Sequence, residues 1–195
     1  EDLEHGRAAV VAGVAAFGTA LAAVERHVGV VGQLRSHNLR QEDGRKLLIF
    51  VFAQNISAED GLSAIRRLIK KLGYVPDRYN LADGCGLSNY NYISSELLVA
   101  FLKFAYSRTD VFQKLYKALP IGGVDGTLKN RMKKGTPSYK KVHAKTGSFT
   151  AINCLAGYLK ADNGHQIAFA IMNQNVLSGR EARKFQDTVC DILIR

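Results

Sequence analysis

Lys145-Thr146-Gly147 is the triplet in this chain whose residue types can do chemistry together. It stands inside Val142-His143-Ala144-Lys145-Thr146-Gly147-Ser148-Phe149, which reads as a strand. A second strand-like run follows at once, Ala151-Ile152-Asn153-Cys154-Leu155-Ala156-Gly157-Tyr158. On the first strand of a hairpin, the lysine supplies a fixed positive charge. The threonine hydroxyl supplies a hydrogen bond to a carboxylate, and the glycine lets an extended backbone lie flat against the strand. The trio therefore suits an anionic, extended ligand. A Lys-Thr-Gly triplet is common by chance, so its weight depends on the elements that position it.

Those elements are legible from residue 57 onward. Ser57 with Asp60 reads as a helix cap, and Leu62, Ile65, Leu68, Ile69 and Leu72 follow at helical spacing until Gly73. Tyr79 to Ala82 reads as a short strand, and Asp83-Gly84-Cys85-Gly86 as a tight turn. Ser94 or Ser95 caps a second helix whose stripe is Leu97, Leu98, Phe101, Leu102 and Ala105. Thr109-Asp110 opens a third, which Leu119-Pro120-Ile121-Gly122-Gly123 ends. A basic loop region from Gly126 to Pro137 leads into three strands, at about 141–149, 151–160 and 165–173. The Asn163-Gly164 pair is a hairpin signal between the last two. A helix over about 179–194 closes the chain. Helices, then an antiparallel sheet, then a terminal helix predict an α+β layer architecture.

Composition narrows the classes. The 195 residues are 47% hydrophobic and 23% charged, enough for one domain or a large part of one. The net charge of +10 favours anionic partners such as nucleic acid, a membrane surface or an anionic wall polymer. No zinc-finger, RNA-recognition or helix-turn-helix signature accompanies it, so no nucleic-acid partner is expected. Cys85, Cys154 and Cys190 are far apart and show no metal-ligand spacing, and the five histidines form no ligand cluster. The first 50 residues differ from the rest: they hold five arginines, one lysine and no tyrosine. Ala8 to Val24 is an uncharged run that suits a signal, an anchor segment or a buried helix equally. Residues 1–50 are therefore set apart from a unit spanning 51–195.

Several phrases occur in a fixed order: Asp83-Gly84-Cys85-Gly86-Leu87-Ser88 with Asn91, Leu119 to Leu128 with Arg131, Ala144 to Ser148, Leu155-Ala156-Gly157-Tyr158, and the strand Gln166 to Met172. As an ordered set they closely resemble the C-terminal part of the D-alanyl-D-alanine carboxypeptidase/endopeptidase family, the class C low-molecular-mass penicillin-binding proteins. The resemblance covers about residues 55–195. One departure is Cys85, where the family pattern usually reads Asp-Gly-Ser-Gly; a thiol of serine size fits such a turn.

The resemblance implies a partial β-lactamase/transpeptidase-like fold and a serine acyl-enzyme mechanism that uses no metal or cofactor. Its implied ligands are peptidoglycan peptide stems or β-lactams, and its implied location is the periplasm or another extracytoplasmic part of a bacterial cell envelope, with association to the envelope surface. Residue by residue, Lys145 matches the lysine that gives positive potential and orients neighbouring groups, and Thr146 the carboxylate ligand. Gly147 completes that wall, and the N–H of Ser148 matches an oxyanion donor. Ser36-His37-Asn38 matches a Ser-x-Asn motif, with Ser36 relaying a proton and Asn38 holding a substrate amide; a polar loop before a helix is the alternative. The family's Ser-x-x-Lys, carrying nucleophile and base, has no match in residues 1–35. Ser138-Tyr139-Lys140-Lys141 has the spacing but runs straight into the Lys-Thr-Gly strand and cannot also face it. The chain is thus expected to be the C-terminal portion of an enzyme whose nucleophile lies elsewhere, exposing an apolar face. The alternative is a non-catalytic module that binds wall peptides or penicillin. Asp125 and Arg131 are expected to pair as a loop brace, His143 to be an exposed strand histidine, and Tyr90, Tyr92, Phe101, Phe104 and Tyr106 to be core.

Overall fold

The computed structural model describes residues 58–84, 86 and 88–195. The readings made for residues 1–50, for Ser36 and Asn38, for Ser57 and for Cys85 lie outside these residues.

Helix α1 spans Ala58–Lys71, with Glu59 and Asp60 in its first turn and Lys70 and Lys71 in its last, each sign matched to the helix dipole. Gly73, at φ +87°, closes it: Gly73 N–H donates to Lys70 O and Tyr74 N–H to Ile69 O. Helix α2 (Ser95–Tyr106) begins where the Ser94 hydroxyl accepts from Leu97 N–H, and it buries Leu97, Leu98, Phe101, Leu102 and Ala105. Helix α3 (Thr109–Ala118) buries Val111 and Leu115. Strands β1 (Val142–Phe149), β2 (Ile152–Lys160) and β3 (Gln166–Asn173) form an antiparallel sheet in the order β1-β2-β3. Helix α4 (Gly179–Ile194) closes the chain behind Ser178, whose hydroxyl accepts from Glu181 N–H.

The sheet is the middle of three layers. Ala156 and Tyr158 of β2 face α1, α2 and α3, packing with Ile69, Leu97, Leu98 and Leu102. Leu155 and Leu159 face the other way and pack with Val142, Ala144, Phe169, Cys190 and Ile194. Coverage of both faces explains why β2 is apolar nearly throughout rather than alternating. At Gly157 an added Cβ would stand 2.2 Å from His143 O and 2.6 Å from Ala144 Cα, so β1 approaches too closely there for any side chain. On α4 the residues Phe185 and Ile192 point outward, 55% and 66% exposed, with Leu177 just before the helix fully exposed.

Three expectations change. Residues 79–82 form a single bridge, Asn80 to Tyr92, rather than a strand. The loop that follows is organised by side chains: Asn91, fully buried, accepts from Ala82 and Asp83 N–H and donates to Asp83, whose carboxylate also receives Gly86 and Ser88 N–H. Backbone bonded to side chains in this way is unavailable to a sheet. Tyr90 sits at the tip of this loop and Tyr106 in the last turn of α2, so both are exposed rather than core.

Candidate functional site

Strand β1 is an edge strand with two unlike halves. Its outer edge is covered from Val142 to Ala144, where Gly122 N–H donates to Val142 O (2.9 Å) and Ala144 N–H to Pro120 O (3.0 Å). These bonds fix the direction of the backbone. Because Ala144 bonds outward, it forms a non-hydrogen-bonded pair with Gly157, and the alternation then turns the N–H and C=O of Thr146 and Ser148 outward too. Among the described residues no strand pairs with this second half. The result is an open row of backbone donors and acceptors, the arrangement that takes an extended peptide by strand addition.

Lys145, Thr146 and Ser148 border that row from opposite faces. Lys145 shares its face with His143, Ala156 and Tyr158, toward α1–α3. Its ammonium donates to Thr146 O at 2.6 Å, and burial pulls its pKa below the ordinary lysine value. Thr146 lies on the α4 face, and its hydroxyl donates to Thr127 Oγ1 at 2.9 Å. The Ser148 hydroxyl donates to Asn153 Oδ1 at 3.3 Å, across the strand pair. A cation on one face and hydroxyls on the other thus flank one stretch of free strand edge. Such a site can hold a peptide main chain and a carboxylate and can polarise a carbonyl with a backbone N–H.

Thr127 is the member that motif reasoning missed. It belongs to the 3-10 turn Gly126–Leu128, placed by Gly123 N–H donating to Leu128 O and by the full burial of Leu128. Its sequence signal was the Asp125-Gly126-Thr127-Leu128 phrase, but nothing local says that it meets Thr146.

Arg131 does not brace the loop through Asp125. Its guanidinium pairs with Asp187 of α4 at 2.6 Å and also donates to Gln186 Oε1, while Asp125 accepts from Ile121 N–H. The fully buried Gln186 passes the contact on, donating to Asn153 O and Asn173 Oδ1. Helix α4 is thereby tied to the Ser148 end of β1 through Asn153. His143 is half-buried rather than exposed, its ring stacked on Tyr116 at 3.9 Å. Ser138 is fully buried, its N–H bound to Asp191 and its hydroxyl to Thr136. Burial pushes the Cys154 thiol up to about 11 and the Cys190 thiol up to about 12, so neither is a nucleophile at neutral pH. Among the described residues no group of three His, Cys, Asp or Glu side chains is placed to hold a metal ion. A groove of about 430 Å³ along α2, lined by Tyr74, Glu96, Lys103 and Ala170, includes none of the site residues.

The sequence profile of the D-Ala-D-Ala carboxypeptidase 3 (S13) family matches residues 35–194. The match reaches further upstream than the motif phrases and includes Ser36 and Asn38. The chain is 34% identical over 110 residues to the D-alanyl-D-alanine carboxypeptidase DacB of Haemophilus influenzae, covering 56% of this chain and 23% of that protein. It is 32% identical over 149 residues to the penicillin-sensitive carboxypeptidase A of Dictyostelium discoideum, covering 73% and 28%. The chain therefore spans about a quarter of the length of these curated relatives. The crystal structure of penicillin binding protein 4 from Haemophilus influenzae, complexed with a β-lactam, superposes with a TM-score of 0.63 and 27% identity, covering 71% of this chain and 34% of that one. The α+β, partial penicillin-binding fold that the resemblance implied is the fold observed.

Proposed function

The chain belongs to the D-Ala-D-Ala carboxypeptidase 3 (S13) family, and on that premise we propose that it supplies the Lys-Thr-Gly wall of a serine carboxypeptidase/endopeptidase acting on peptidoglycan peptides. The observation that carries this reading is the open second half of β1, flanked by the Lys145 ammonium and the Thr146 hydroxyl. A peptide ending in D-Ala-D-Ala lies along this edge, its main chain bonded to Thr146 and Ser148. Thr146 binds the terminal carboxylate. The Ser148 N–H supports the oxyanion that forms when a serine oxygen attacks the carbonyl between the two alanines. The C–N bond then breaks and the leaving amine takes up a proton. Water next adds to the acyl-enzyme ester and frees the serine. Lys145 supplies the positive potential that draws the substrate anion, and burial lowers its pKa below the ordinary lysine value.

The attacking serine is not Ser138, which is buried and hydrogen-bonded against α4. It comes from a Ser-x-x-Lys outside the described residues, and Ser36-His37-Asn38 supplies the Ser-x-Asn motif, Ser36 relaying a proton and Asn38 holding a substrate amide. A β-lactam occupies the same edge as a substrate mimic, and the reaction takes place in the cell envelope outside the cytoplasmic membrane.

The test is peptide-mapped mass spectrometry after incubation with a labelled penicillin. With the chain joined to a segment bearing Ser-x-x-Lys, the adduct is expected on that serine, formed roughly 100-fold more slowly in Lys145→Ala. An adduct on Ser138 would overturn the placement of the nucleophile. An undiminished rate in Lys145→Ala would remove this strand from the reaction.

A further inference from the structure

We propose that Thr127 is a second carboxylate-binding hydroxyl, so that the open edge of β1 takes a terminal carboxylate through a Thr127–Thr146 pair rather than through Thr146 alone. The inference rests on the reading of this edge as the peptide site and extends it to a residue outside the Lys-Thr-Gly strand.

Proton counting carries the argument. A carboxylate has two oxygens and only accepts hydrogen bonds, whereas one threonine hydroxyl donates a single proton. In the structure that proton of Thr146 is directed at Thr127 Oγ1, 2.9 Å away. Thr146 therefore cannot serve a ligand without affecting Thr127. The Thr127 hydroxyl carries a proton of its own, and no described protein group accepts it. A carboxylate arriving at the pair takes the Thr127 proton directly, with Thr146 still donating to Thr127 and polarising it. Alternatively the bond between the threonines opens, and each hydroxyl serves one carboxylate oxygen. The second arrangement offers the carboxylate two protons where Thr146 alone offers one, and the first offers one from a hydroxyl polarised by its neighbour.

Placement supports the same role. The turn that carries Thr127 begins where the cover over β1 ends, just past residues 120–122, so Thr127 stands at the boundary between the covered and the open edge. Its side chain is exposed, yet its backbone is fixed between the fully buried Leu128 and Gly126. Gly126 has φ +52°, and an added Cβ there would come within 3.0 Å of the Pro120 ring. An exposed hydroxyl on a fixed turn keeps its direction when a ligand arrives, which limits the ordering cost of binding.

The experiment compares a tripeptide ending in D-Ala-D-Ala with the same tripeptide as its C-terminal amide, each titrated calorimetrically onto the protein and its variants. Wild type is expected to prefer the carboxylate. Thr127→Val keeps the shape without the hydroxyl, and it is expected to lower that preference roughly tenfold, weakening the carboxylate far more than the amide. Thr127→Ser is expected to restore the preference. Thr127→Val that weakens both ligands equally, or neither, while Thr146→Val abolishes the preference, would overturn the role of Thr127 and leave the peptide site standing. A wild type without carboxylate preference would overturn the reading of the edge and this inference together.

Discussion

The two halves of β1 belong to one strand and one register, yet they do opposite work. From Val142 to Ala144 the features serve packing: outward backbone groups bonded to residues 120–122, the Val142 and Ala144 side chains buried, and Gly157 stripped of a side chain so that the strands can close. From Lys145 to Ser148 the outward backbone meets no partner strand, and the side chains are a desolvated amine and hydroxyls. The same contrast separates two cations. Arg131, nearly buried, is bonded to Asp187, Gln186 and the Arg183 carbonyl. Lys145 is also largely buried but is bonded to a single carbonyl, and no described carboxylate pairs with it. A cation that is paired holds the fold; one that is desolvated and left with spare donor capacity is available to a ligand.

The comparison breaks first at Gly157. Alanine there drives a Cβ into the β1 backbone, which no side-chain rotation relieves. Gly157→Ala is expected to cost about 3 kcal/mol or more in a denaturant melt. Arg131→Ala comes next, at about 2 to 3 kcal/mol, because it strands Asp187 and the buried Gln186. If Gly157→Ala is tolerated without loss of stability, the covered half of β1 is not the structural anchor described above; if Arg131→Ala is, the paired cation does not hold the fold.

Lys145→Met sharpens the contrast between the cations with a smaller and opposite effect. Desolvation lowers the Lys145 pKa, so the charged amine weighs against the fold at neutral pH. The folded protein releases this proton at lower pH than the unfolded chain does. The penalty is therefore present in full below the folded pKa and fades as pH rises toward the usual lysine value. The variant is expected to be slightly more stable than wild type near pH 7, with the difference shrinking as the pH is raised. Comparing the two proteins at each pH cancels the thiols of Cys154 and Cys190, whose raised pKa values act in the alkaline range on both alike. A lysine worth as much to stability as Arg131 would erase the distinction between them.

Much of the fold was legible because it rests on local signals. The stripe of α2, the glycine after α1 and the strand alternation each declare themselves within a few residues. The triplet at the site was legible for the same reason. What stayed hidden lies in contacts between distant segments. Arg131 meets Asp187 across 56 residues, and Thr127 meets Thr146 across 19. Asp125, with opposite charge and close by in sequence, was the natural partner to expect for Arg131, but the turn gives its carboxylate to Ile121. The strand expected at Tyr79 to Ala82 failed because Asn91, eight and nine residues on, bonds its backbone. The hairpin at Asn163-Gly164 was placed correctly, although its geometry is a three-residue loop with only Gly164 at positive φ, rather than the two-residue turn.

The turn at the open end of β1 carries backbone strain, and this gives the smallest of the expected effects. Phe149 pairs with Ile152, leaving Thr150 and Ala151 as a two-residue turn, and Ala151 is held at φ +61°. A Cβ in that region costs about 1 kcal/mol or more, a cost that glycine avoids. Glycine also loosens the unfolded chain, which offsets part of the gain. Ala151→Gly is therefore expected to stabilise the protein by about 0.5 kcal/mol. Ala151 is exposed, and its carbonyl still accepts from Val176 N–H, so the substitution removes no packing. The informative reading comes from doing it beside Gly157→Ala. Gly157 lies in β2 beside the covered half of β1 and Ala151 in the turn past its open half, so their effects should add to within about 0.5 kcal/mol. Clear non-additivity would mean that strain at the turn is transmitted along the strand, and that its covered and open halves are one mechanical unit rather than two.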